Sequence, residues 1–246
     1  MTSAKNLEKI PKGNTSFGVN RTIIEYLISL KNNFDNEYFF DIPCGKGEFV
    51  EAIKFYFPQS KIIGADINLP PKEFSADFIQ IDARSGFQIQ TDKKFQVITC
   101  ISGVMEFDNT LSFFEKLKEH LDDNGLFIVT NDNILSVNDR ILYLLFGRLK
   151  QYRLFTGNNE PTWKIIPLQN LLRILDEAGF ETIEIKYIPV KTAEWLWLPI
   201  AVLIYVSQIL YLKFAEKQVS SAEKDYRFPF LSLLSRHYIC ICRTKR

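Results

Sequence analysis

Phe39-Phe40-Asp41-Ile42-Pro43-Cys44-Gly45-Lys46-Gly47-Glu48-Phe49 decides the fold. An apolar run ends in Asp41, breaks at two closely spaced glycines and then turns amphipathic. The pattern predicts strand, tight loop, helix. Glycines in such a loop let the backbone approach a ligand and take dihedrals that a Cβ forbids. The helix that follows aims its free N–H groups at the same spot. A nucleotide-like or amino-acid-like cofactor suits that place. The stretch is neither G-x-G-x-x-G nor G-x-x-x-x-G-K-[ST].

Outward from the loop, strands and helices alternate. Strands are predicted over 38–42, 61–66, 77–82, 95–101, 126–130, 181–188 and 238–242. Helices are predicted over roughly 16–34, then 48–57, 109–121, 134–149 and 168–178, where apolar residues recur at helical spacing. Alternation at this spacing argues for an α/β fold with an open, mostly parallel, seven-stranded sheet and helices on both faces. Ligands in such sheets sit beyond the carboxyl ends of the strands. Polar residues fall there at four successive strands: Asp41, Asp66, Asp82, and Ser102 with Gly103.

Composition narrows the function. The 246 residues suit a single domain over 1–246, with 46% apolar residues to build its core. Residues 1–15 read as a mobile arm. A net charge of +1 argues against nucleic acid as a partner, because phosphate binding wants a basic excess. Two histidines and four cysteines without C-x-x-C spacing argue against a metal site. Free thiols suit a reducing, cytoplasmic setting, and the first residues carry no apolar secretory signal.

The loop resembles the first motif of class I S-adenosylmethionine (SAM)-dependent methyltransferases, with Pro43 in place of the first glycine. The resemblance covers roughly residues 16–188 and implies a Rossmann-like fold with SAM as cofactor and S-adenosylhomocysteine as product. It places Asp41, Pro43, Cys44, Gly45 and Gly47 under the methionine part. It assigns Asp66 to the ribose hydroxyls, a task that suits a carboxylate's two acceptor oxygens. Ile67 covers one face of the adenine ring, and Asp82-Ala83 meets its amine. Ile101 and Ser102, at the end of strand four, complete the implied set. Proline removes one backbone N–H from the loop.

The acceptor side is less defined. Many relatives carry Glu-His where this chain has Glu106-Phe107, which removes an obvious base and leaves Glu106 as the catalytic candidate. Other polar residues past strands four and five are Asn131, Asp132, Asn133 and Arg140, then Arg148, Tyr152, Arg153 and Trp163. Asp132 reads as the cap of the next helix, and His237 as a surface or core residue.

Residues 195–212 form an 18-residue stretch without a charge, inside an apolar helical insertion over 189–235. It reaches the length of a membrane span and carries Trp and Tyr near its ends. It lies between strands six and seven of one sheet, which favours a helix lying in the membrane interface over a re-entrant hairpin, a helix capping the acceptor cleft or a dimer interface, and a true span. Its charge-balanced flanks make apolar burial the expected driving force. The expectation is a methyltransferase peripheral to the cytoplasmic face of a membrane, acting on oxygen of a lipid-linked glycan or small apolar acceptor. Small methyltransferases with such apolar segments resemble those of bacterial cell-surface glycan and lipid pathways. The competing expectations are C- or N-methylation of a quinone, lipid or other small metabolite, and a non-catalytic interaction scaffold. No motif speaks to oligomeric state.

Overall fold

The computed structural model describes residues 10–30, 34, 36–84, 87–89, 91–152, 154–155, 164–188 and 192–245. Helix α1 (Val19–Ser29) precedes β1 (Tyr38–Asp41), α2 (Glu48–Tyr56), β2 (Lys61–Asp66), β3 (Asp77–Gln80) and β4 (Phe95–Cys100). Then come α3 (Thr110–His120), β5 (Leu121–Asp132), α4 (Val137–Phe146), α5 (Leu168–Glu177) and β6 (Phe180–Tyr187). The insertion holds a 3-10 helix (Thr192–Trp197), α6 (Leu198–Phe214), α7 (Ser221–Arg227) and a second 3-10 helix (Phe230–Leu233), before β7 (His237–Thr244).

The seven strands form one sheet in the order β3-β2-β1-β4-β5-β7-β6. β3, β2, β1, β4 and β5 pair in parallel, and β7 runs antiparallel to both β5 and β6. This is the Rossmann-like arrangement, with a helical layer on each face. One core layer joins α1 and α2 to the sheet through Ile23, Leu27, Val50 and Ile53. The other is rich in phenylalanine. The Phe107 and Phe113 centroids lie 4.1 Å apart, and the contacts continue through Phe114 and Phe127 to Phe180. This ring chain pins the segment after β4 and so fixes the position of Glu106.

Several expected boundaries move for local reasons. β5 starts at Leu121 rather than 126, because Leu121 pairs with Phe95 before Asp122–Asn124 bulge out and Leu126 rejoins opposite Val97. α4 starts at Val137 rather than 134. Ser136 caps it by accepting the Asp139 N–H, while Asn133 donates its side-chain amide to the Ser232 and Ser235 carbonyls. Gly147, at φ 67°, ends α4 short of the expected 149. Part of the expected N-terminal arm is anchored: the Asn20 side chain donates to the Pro11 and Lys12 carbonyls, and Thr15 is buried.

Candidate functional site

The loop between β1 and α2 is built as its glycines require. Gly45 and Gly47 have φ of 55° and 88°, a region where L side chains are strained. A Cβ on Gly45 would meet open space, with only the Asn14 side chain at 3.8 Å. Gly47 begins α2, and Glu48 and Glu51 in its first turn suit the positive end of the helix dipole. Beneath the loop Phe74 fills the room that a Cβ on Gly47 or Gly64 would need, approaching to 2.6 and 2.7 Å.

Pro43 follows a cis peptide bond and packs its ring on Gly103. A Cβ on Gly103 would come within 2.4 Å of Pro43 Cδ. The missing glycine of the loop is thus matched by a glycine across the groove. Gly103→Ala is expected to destabilise the fold by about 1–3 kcal/mol through overpacking. Adding Pro43→Gly should recover most of that loss. Thermal melts of the two single variants and the double would show the coupling, and strictly additive effects would refute it.

Asp66 ends β2 and is buried. Its Oδ2 accepts the Gly45 N–H at 2.9 Å and its Oδ1 the Asn68 N–H at 2.9 Å, so one carboxylate ties the loop to the next strand. Ile67 follows at the surface, its carbonyl accepting from the Gln80 side chain. Asp82 is exposed and bound by Arg84 through both oxygens at 2.9 and 2.7 Å. That hydrogen bonding holds the Asp82 carboxyl below the usual carboxylate range. An adenine amine would share this acid with the guanidinium. Ala83 is half-buried against the phenylalanine layer.

Other expected contact residues lie underneath the groove. Asp41 is 3% exposed and accepts the Thr99 hydroxyl at 2.6 Å. Burial pushes its carboxyl up to about 7, with the nearby Asp66 charge adding to the rise. The Asp41 carboxyl thus ties the end of β1 to β4. Cys44 is buried, and Ile101 packs into the α1–α2 layer. Ser102 does reach the groove, at φ 56°, with its hydroxyl 2.7 Å from that of Thr15.

The main cleft, about 680 Å³, opens beyond β4, β5 and β7. Lys12–Phe17 form one wall, Ser102, Met105 and Glu106 the floor, and Asp132, Glu194, Arg236 and His237 the far side. It meets the glycine loop where Asn14, which faces Gly45, joins Ser102 and Glu106. Glu106 is half-buried. Burial first, and then the charge of Asp66, raise its carboxyl above the ordinary range, against a smaller pull from Arg84.

His237 is buried, one of the two placements expected for it, and the structure adds that it lines the cleft. Its Nδ1 lies 2.9 Å from Asp132 Oδ1 and its Nε2 lies 3.1 Å from Thr130 Oγ1. Thr130 Oγ1 also accepts the Ser102 N–H at 2.9 Å. An Nδ1–H donated to the carboxylate leaves Nε2 to accept the Thr130 hydroxyl. The chain Asp132–His237–Thr130–Ser102 fixes the cleft floor from three strands. Asp132 is therefore not a helix cap. Only the β5–β7 register, which sets Asp132 opposite His237, brings these two together. Their sole signal in the sequence was a histidine just before an alternating apolar strand.

The remaining acceptor-side candidates divide. Asn131 is buried, donating to the Ile166 carbonyl and the Tyr238 hydroxyl. Arg140 joins α4 to α6 through the Leu135 carbonyl and Gln208. The Tyr152 hydroxyl reaches Met105 Sδ at 3.3 Å. Arg148 is half-buried just beyond α4. Arg153 and Trp163 lie outside the described residues. Glu194 is buried in the cleft wall, paired with Arg236 and, at 3.7 Å, with Lys150.

The profile of the methyltransferase-domain family matches residues 17–185. No curated protein matches the chain. Solved structures share the fold. A SAM-dependent methyltransferase from Clostridium acetobutylicum is 11% identical, with a TM-score of 0.53 over 92% of this chain and 91% of that one. The 1,6-didemethyltoxoflavin-N1-methyltransferase of Burkholderia thailandensis, solved with S-adenosylhomocysteine, is 9% identical, with a TM-score of 0.56 over 94% and 80%. The [4+2]-cyclase SpnF is 15% identical, with a TM-score of 0.54 over 96% and 84%. The chain belongs to the methyltransferase-domain family, and within it to the class I SAM-dependent methyltransferases. SAM is the cofactor of that class, and the open side of Gly45 beside the Asp66 carboxylate fits it.

Proposed function

We propose that this protein transfers a methyl group from SAM to an oxygen of a lipid-linked glycan or small apolar acceptor, at the cytoplasmic face of a membrane. The observation that carries this reading is the cleft, which reaches the glycine loop through Asn14, has Glu106 in its lining and shares a wall with the apolar insertion. Glu194, in that wall, belongs to the 3-10 helix that runs directly into α6.

The chain's own residues hold and orient the reactants. The backbone of Gly45 and Gly47 offers a surface without side chains, and Asp66 offers acceptor oxygens to a vicinal diol. Bound SAM supplies a methyl group activated by the sulfonium charge, which is neutralised as the thioether forms. Glu106 takes the hydroxyl proton of the acceptor as the new O–C bond forms, and burial raises its carboxyl above the ordinary range, which makes it a stronger base. The Asp132–His237 pair holds Ser102 and the floor in register, and the Lys12–Phe17 wall excludes water.

Label from methyl-labelled SAM is expected to enter the organic phase of a bacterial lipid extract when the protein is added. Label confined to the aqueous phase, with a water-soluble product, would overturn the lipid-linked acceptor.

A further inference from the structure

We propose that α4 and α6 together form a two-helix wedge that seats the protein on a bilayer by burying exposed apolar surface. The helical run Thr192–Phe214 has mean hydropathy 1.8, yet only 6% of its apolar window is buried. α6 packs through one narrow face, where Ala201 joins Val137 of α4 and Leu233 and Leu234 beyond α7. At about 100° per residue, its exposed apolar positions cover roughly 200° of the circumference. Beside it, Tyr143, Leu144, Leu145 and Phe146 of α4 are also exposed, Leu144 at 82%. The sequence pointed to α6 alone; the structure adds α4, whose apolar face has no core to enter.

Three observations favour lipid over a second copy of the chain. The exposed arc is wider than the single stripe that a helix-to-helix contact buries. Ser207, exposed within the apolar arc, satisfies its hydroxyl on the Leu203 carbonyl of its own helix, as a hydrocarbon surface demands, and the Gln208 side-chain oxygen accepts from Arg140 on the packed side. Trp195 and Tyr211, both exposed, stand near opposite ends of the run, as interfacial aromatics do.

The wedge lies in the interface and does not span. The insertion leaves from β6 and returns to β7, and those strands pair along their lengths, from Phe180 with Thr244 to Tyr187 with Tyr238. The proposal stands on this surface alone and is independent of the methyl-transfer reading.

The test is co-sedimentation of the full chain with vesicles of phosphatidylcholine, with and without phosphatidylglycerol. Wild type is expected to pellet with both to a similar extent, because apolar burial drives the contact, and with a blue shift in tryptophan emission. Leu144→Lys in α4 and Val202→Lys/Ile209→Lys in α6 should each weaken partition by at least about tenfold while SAM affinity and melting temperature hold. Two results would overturn the proposal. One is wild type left in the supernatant with both vesicle types. The other is a discrete dimer in solution that the lysine variants dissociate and that vesicles do not bind.

Discussion

Asp66→Ala is expected to weaken SAM binding about a hundredfold. The carboxylate ends β2 at the carboxyl edge of the sheet, and each oxygen already accepts one backbone N–H, from Gly45 and Asn68. A carboxylate has about four lone-pair sites, and Oδ1 also takes the Asn68 side-chain amide at 3.4 Å, so both ribose hydroxyls can join once that long contact gives way, with neither backbone amide displaced. Two hydrogen bonds to a charged group contribute about 3 kcal/mol together, which corresponds to the hundredfold change. Calorimetric titration of wild type, Asp66→Ala and Asp66→Asn measures it, with the Asn variant expected between the other two. A thermal melt must accompany the titration, because alanine also removes the acceptor of the Gly45 N–H. Unchanged affinity in the folded variant would move the cofactor away from this edge and favour the scaffold reading.

Glu106→Gln is expected to lower kcat roughly 10²–10⁴-fold and leave SAM affinity unaltered. Glutamine keeps the shape and cannot take a proton. The pH profile adds a second readout. Burial and the Asp66 charge raise the Glu106 carboxyl above its ordinary 4.5. The base works when ionised, so wild-type rate should fall as pH drops through that raised value. The loss should therefore begin at higher pH than for an exposed glutamate, and the Gln variant should lack this limb. Full activity in Glu106→Gln would point to an amine or carbon acceptor that gives no proton to this residue.

The first half of the chain was legible because its signals are local. The run from Phe39 to Glu48 encodes strand, turn and helix within one window, and β2 begins and ends at the expected Lys61 and Asp66. Asp66 and Gly45 meet because parallel β1 and β2 pair in register from Tyr38 with Lys61, which sets the two strand ends side by side. The burial of Asp41 against Thr99 was not legible, because sequence marks the end of a strand but not which face its last side chain takes. The acceptor side was not legible because it is assembled over long separations. His237 meets Asp132 across 105 residues, through a strand that inserts between β5 and β6. Periodicity in α4 correctly marked an apolar face; it could not tell that the face is open.

Isothermal titration of the purified full chain with SAM and with S-adenosylhomocysteine tests the central claim most directly. The account predicts saturable one-to-one binding of both. No binding heat for either ligand at any temperature tried, in protein whose melt shows it folded, would contradict the cofactor site and with it the methyl-transfer reading.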